Sequence, residues 1–147
     1  VMRTDPAPPK PRAPRVLVVD DNPINQLVAR EMLLSLGVEV ETAEHGADAL
    51  ARLERSSYAL VFMDVMMPVL DGLAATRVWR EREAQHGRAR LPIVALTANE
   101  MASDRERCLE AGMDDYLAKP VRREQLAKIL ARWLPAEPAP PPESNRG

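Results

Sequence analysis

Four short apolar runs in this 147-residue chain end on, or just before, a charged or hydroxyl residue. Val16-Leu17-Val18-Val19 leads into Asp20-Asp21, and Ala59-Leu60-Val61-Phe62-Met63 leads into Asp64. Ile93-Val94-Ala95-Leu96 leads into Thr97, and Tyr116-Leu117-Ala118 into Lys119. Unbroken apolar runs of this length, bounded by turn signals, are the habit of strands buried on both faces, as in parallel sheets. An open α/β sheet binds its ligands in the crevice beyond the carboxyl ends of the strands, where the strand order reverses. Three carboxylates, a hydroxyl and an ammonium are therefore expected to meet in one pocket.

Helix-like segments separate these strands. Over 22–36, Ala29, Met32, Leu33 and Leu36 keep helical spacing and Gly37 supplies a stop. Residues 38–42 alternate as a strand, and 46–55 form a short helix with Ala47, Leu50 and Leu53 inward. A third helix of weaker period spans about 73–83, followed by a polar segment to Arg90 that reads as a loop. The remaining elements are a strand at 92–96, a helix at about 100–111 closed by Gly112, a strand at 115–118 and a helix at 122–133. Five βα units of this kind make a doubly wound sheet.

The flanks differ. Residues 6–14 and 135–142 are proline-rich without a hydrophobic period, which reads as extended linker. The expected organisation is a linker over 1–14, one domain over 15–134 and a second tail over 135–147. Flanks of this kind, and a start at Val1, suggest a module from a longer polypeptide.

A net charge of −2 gives no general attraction to nucleic acid or to an anionic membrane surface. No apolar run approaches the ~20 residues of a membrane span, and the N-terminus lacks a signal-peptide apolar region. One cysteine, Cys108, fits a reducing cytoplasm and helix packing. His45 and His86 are isolated and read as solvated surface. The mixed-sign run Arg77 to Glu83 reads as an exposed helix face, with Trp79 equally placed for a core edge or a partner contact.

The segments VLVVDDNPINQLVAREMLLSLG, LVFMDVMMPVLDG, IVALTA and AGMDDYLAKPV resemble, in order and spacing, the receiver (response-regulator) domain of two-component phosphorelays. The resemblance covers Arg15 to about Leu134. It implies a five-stranded (βα)5 sheet in the flavodoxin-like order 2-1-3-4-5, which makes the Asp20-Asp21 and Asp64 strand ends neighbours. It also implies a Mg²⁺ site ligated by Asp21, Asp64 and the backbone carbonyl of Met66, with Asp20 acting through water. Such a trio of carboxylates would raise one another's pKa unless a cation sat among them, and hard oxygen ligands suit Mg²⁺.

By the same resemblance Asp64 is the phosphoacceptor, Lys119 and Thr97 bind the phosphoryl oxygens, and Thr97 and Tyr116 form a switch. Met66 and Asn99 line the rim and tune phosphate lifetime, and the Lys119–Pro120 peptide is cis. Lys119 carries an independent hint, because the chain holds 17 Arg and only 3 Lys. A compact ammonium fits beside a carboxylate where a planar guanidinium fork does not.

The expected partner is a histidine kinase domain or a histidine phosphotransfer protein, with a homodimer through the helix 4–strand 5–helix 5 face as a further expectation. The wording looks more like hybrid sensor histidine kinase receivers than free-standing regulators, though both contexts stay open. A dehalogenase-type phosphatase wants a second acid two residues after its nucleophile, where this chain has Met66 or Asn22. A pseudo-receiver that is never phosphorylated is the remaining alternative, opposed by the presence of Asp20, Asp21, Asp64, Thr97 and Lys119.

Overall fold

The computed structural model describes residues 14–65, 71–97 and 102–134. Ten elements alternate strictly: β1 (Arg15–Val19), α1 (Pro23–Ser35), β2 (Glu39–Ala43), α2 (Gly46–Arg55), β3 (Leu60–Asp64), α3 (Gly72–His86), β4 (Ile93–Thr97), α4 (Ala102–Ala111), β5 (Asp115–Ala118) and α5 (Arg123–Trp133). All strand pairs are parallel, in the order β2-β1-β3-β4-β5, as expected. Residues 1–13 and 135–147, most of the expected linker and all of the expected tail, lie outside the described residues.

The period-2 alternation of strand side chains divides the core into two layers. Leu17, Val19, Val61, Met63, Ile93 and Ala95 pack with α2, α3 and α4 on one face. Val16, Val18, Leu60, Phe62, Val94 and Leu96 pack with α1 and α5 on the other. Every residue of β3 and β4 is buried, which is why these strands read as continuous apolar runs. Cys108 is buried within the first layer, in keeping with a packing role.

The third helix differs from its expected bounds. It runs three residues beyond Glu83, to His86, and stops at Gly87 in the left-handed region (φ 63°). Only part of its charged run is an exposed face: Arg77 and Glu81 meet solvent as expected, while the inner side of the run does not. Trp79 is buried, and Arg80 and Glu83 form a largely buried ion pair at 2.9 Å. A helix that buries charge gives a weak hydrophobic period, which leaves its inner face without a sequence signature. Two smaller corrections concern α2. Ala47 is exposed, while Leu50 and Leu53 are buried as expected. His45 is half-buried and caps the helix, its Nδ1 accepting from Asp48 N–H at 3.1 Å.

Candidate functional site

The sheet register aligns the acids. Val19 on β1 lies level with Met63 on β3, so the residues that follow, Asp20 and Asp64, emerge side by side at the carboxyl edge. Asp20, Asp21 and Asp64 each bring a carboxylate oxygen within 4.8 Å of the others. Asp20 and Asp64 are buried, whereas Asp21 faces solvent.

Lys119 reaches across from the end of β5. Its Nζ lies 3.0 Å from Asp64 Oδ2 and 3.3 Å from Asp20 Oδ2. Burial, the largest single influence, pulls the ammonium's pKa down. The hydrogen bonds and charges of Asp64 and then Asp20 together outweigh it and hold the pKa above the ordinary lysine value. The peptide that follows, Lys119–Pro120, is cis. Backbone Lys119 N–H donates to Thr97 C=O at 2.8 Å, tying the lysine's origin to the end of β4. Thr97 is itself buried, one residue beyond the Leu96 that pairs with Asp64.

Three carboxylates against one ammonium leave the pocket with a formal surplus of two negative charges. Oxygen-only donors with unbalanced negative charge are what a hard divalent cation requires. The Met66 carbonyl and Asn99, also expected at this site, lie outside the described residues.

Tyr116 is not part of the acidic cluster. It is half-buried on β5 and lines a surface groove of about 350 Å³ between α4, β5 and α5. The Arg105 guanidinium stands 4.7 Å from the centre of its ring.

Three further groups position the pocket. The Gln26 side-chain amide donates to the backbone carbonyls of Asp20 at 2.6 Å and Ala43 at 3.1 Å, pinning the ends of β1 and β2. Asn22 caps α1, its Oδ1 accepting from Ile24 N–H, and its own N–H donates to Asp20 Oδ1 at 2.9 Å. Gly72 opens α3 against the end of β3, where an added Cβ would sit 2.2 Å from Asp64 O. An Asn-Pro helix start is a readable cap signal. The close approach at Gly72 has no local sequence signal, because it depends on which strand the helix lands on.

The fold and pocket define a class: a doubly wound parallel α/β protein with a carboxylate–lysine cluster at the topological switch of its sheet. The chain belongs to the response regulator receiver domain family, whose pattern matches residues 16–131.

A sensor protein, GacS, from Pseudomonas syringae pv. syringae is 46% identical over 133 residues, covering 90% of this chain and 15% of the relative. A hybrid signal transduction histidine kinase L from Dictyostelium discoideum is 42% identical, covering 81% of this chain and 7% of the relative. The chain thus spans a small part of the curated relatives it matches.

Among solved structures, the receiver domain of a sensor histidine kinase from Pseudomonas aeruginosa PAO1, with a magnesium ion coordinated in its active site cleft, is 49% identical with a TM-score of 0.74. The alignment covers 82% of this chain and 97% of that one. The co-crystal structure of the Saccharomyces cerevisiae histidine phosphotransfer protein Ypd1 with the receiver domain of Ssk1 matches at 34% identity and a TM-score of 0.79, covering 83% and 89% of the two chains. No helix among the described residues is long and apolar enough to cross a membrane.

Proposed function

We propose that this receiver domain accepts a phosphoryl group from a phosphohistidine onto Asp64, as the receiver module of a hybrid histidine kinase. The observation that carries the reading is the cluster of Asp20, Asp21 and Asp64, of which Asp20 and Asp64 pair with the Lys119 ammonium. Asp64 is the one carboxylate of the three that is both buried and at the end of a fully buried central strand.

A carboxylate oxygen of Asp64 attacks phosphorus as the phosphorus–nitrogen bond breaks and its electron pair returns to nitrogen; the donor ring, protonated on its other nitrogen, leaves as neutral imidazole, and Asp64 becomes an aspartyl phosphate. Transfer of this kind depends on positioning and charge neutralisation more than on covalent help. Lys119 offers its ammonium to the arriving phosphoryl oxygens, and Thr97 offers a hydroxyl donor. Asp21 and Asp64 would hold a Mg²⁺ ion directly, and Asp20 would act on it through water. When bound, the ion supplies the positive charge that the pocket lacks.

The partner, a histidine kinase domain or a histidine phosphotransfer protein, meets the domain over α1. There Ile24, Leu27 and Val28 are 69%, 55% and 42% exposed, an apolar patch beside the acidic pocket. A crevice lined by Asn25, Val28, Lys119, Pro120 and Val121 joins that patch to Asp20. A histidine carried on an apolar helical surface reaches Asp64 by docking here. The domain spans 15–134 between proline-rich linkers, works in the cytoplasm, and signals through the α4–β5–α5 face, which also forms its homodimer contact.

Incubation with acetyl phosphate, followed by intact-mass spectrometry, tests the reading. The parent protein gains one phosphoryl group only with Mg²⁺ present, and hydroxylamine removes it. Asp64→Asn takes up none. Equal labelling of Asp64→Asn would move the nucleophile elsewhere, and an unlabelled parent would leave the pseudo-receiver reading.

A further inference from the structure

The switch residue Tyr116 has a neighbour that the phosphoryl chemistry does not use. Arg105, on α4, places its guanidinium carbon 4.7 Å from the centre of the Tyr116 ring, within the range of a cation–π contact. The contact is made where the ring lines the outer groove beside Gln125, Lys128 and Arg132. Tyr116 sits level with Ala95 on β4, two residues short of the Thr97–Ala118 pair. A ring that turned inward, toward the space Thr97 leaves as it moves to a phosphoryl group, would have to leave Arg105 behind.

The rest of the β5 edge is held from the opposite side. Asp115 Oδ2 accepts from Arg132 at 2.5 Å and from Trp133 Nε1–H at 3.0 Å, both on α5. Tyr116 is thus clasped by α4 next to a residue clasped by α5. Among the described residues Arg105 takes part in no ion pair, so its ring contact does not compete with a carboxylate there.

We propose that Arg105 is a positioning residue for Tyr116, latching the ring at the surface and so setting how far phosphoryl transfer must drive the α4–β5–α5 face. This rests on the reading of Thr97 and Tyr116 as the switch of a phosphoacceptor. A ligand shifts a two-state equilibrium only through contacts that differ between the states, and the Arg105–Tyr116 contact belongs to the outward state alone. A cation–π contact at an exposed site corresponds to a bias of roughly two- to five-fold.

The experiment measures Tyr116 side-chain rotamer populations by three-bond couplings in tyrosine-labelled protein, first without any phosphoryl mimic. Arg105→Ala raises the inward population roughly two- to five-fold. Arg105→Lys, which keeps the cation, restores most of the outward bias. The other tyrosine, Tyr58, has its hydroxyl bound to Glu41 on β2 and stays unchanged in both variants. Unchanged Tyr116 populations in Arg105→Ala overturn the latch, as does an Arg105→Lys variant that behaves like alanine.

A second arm adds Mg²⁺ and beryllofluoride. In the parent Tyr116 moves inward, and in Arg105→Ala it reaches the same end state from a higher starting population. If beryllofluoride does not move Tyr116 even in the parent, the phosphoacceptor switch fails, while the unliganded populations still decide the latch.

Discussion

The two ends of the sheet handle buried charge in opposite ways. At the carboxyl edge, Asp20, Asp21 and Asp64 cluster together, and one cation, Lys119, pairs with Asp20 and Asp64. At the amino edge, Arg80 and Arg90 meet Glu83 and Asp114, two charges against two, and the oxygens are heavily engaged. Arg80 donates to Glu83, to Asp114 and to Gly112 C=O, while Arg90 donates to Asp114 and Gly112 C=O. Backbone N–H groups of Leu91 and Ile93 donate to Glu83 and Asp114. The balanced cluster clamps α3, the turn after α4 and the start of β4. The unbalanced cluster is left to be completed by a ligand. Buried charge stabilises a fold only when every partner is present, so the imbalance marks the end where something else must bind.

The largest effect should come from breaking the balanced end. Arg80→Met leaves Glu83 and Asp114 buried with a half-exposed Arg90 for company, and should lower unfolding free energy by about 3–5 kcal/mol. Urea denaturation checks this. A loss below about 1 kcal/mol would mean that Arg90 and water compensate, and the contrast between the two ends would fade.

The unbalanced end should respond with the opposite sign. Asp21 faces solvent and has no cationic partner among the described residues, so Asp21→Ala relieves repulsion and raises the metal-free melting temperature slightly. The same variant should bind Mg²⁺ at least about ten-fold more weakly, a loss of about 1.4 kcal/mol. In the parent, Mg²⁺ at a hundred times its dissociation constant should add about 2.7 kcal/mol of stability, and most of this gain should vanish in the variant. Thermal melts with and without Mg²⁺ read both effects. Equal Mg²⁺ stabilisation of parent and variant would remove Asp21 from the metal site.

The smallest expected effect lies at the amino end, on the surface. The hydrogen bond from Arg88 holds the Glu54 carboxyl below the usual carboxylate range, against the pull of partial desolvation, with the charges of Arg88 and Arg82 adding to it. Because the folded pKa is depressed, this contribution is present above the unfolded value and is lost as pH falls through the folded one. Carboxyl NMR titration should show the Glu54 midpoint moving back up toward the ordinary glutamate range in Arg88→Ala. An unmoved midpoint would leave the ion pairs at 3.0 and 3.1 Å without a detectable role in solution.

The contrast also explains how well each end could be read. At the carboxyl edge the acids and Lys119 follow apolar runs directly, so periodicity alone placed them at strand ends and the strand order brought them together. At the amino edge the participants are scattered over 80–114, two of them in a helix of weak period and two outside it, and Arg80 and Glu83 look like any solvated i, i+3 pair. Their burial depends on α4 and β4 packing over them, which no local pattern announces. His45 gives no cap signal either, since imidazole is an uncommon cap and looks like surface in a sequence.

Local sequence determined the element order, the parallel sheet and the identity of the pocket's charged groups, because those follow from side-chain period and from which residue ends each run. Register decided the rest. Only the tertiary structure set Lys119 between Asp20 and Asp64, pressed Gly72 against the Asp64 carbonyl, buried the Arg80–Glu83–Asp114 cluster and stood Arg105 over Tyr116. Each of these joins residues from different elements, and their separation is fixed by helix and sheet packing rather than by any spacing along the chain.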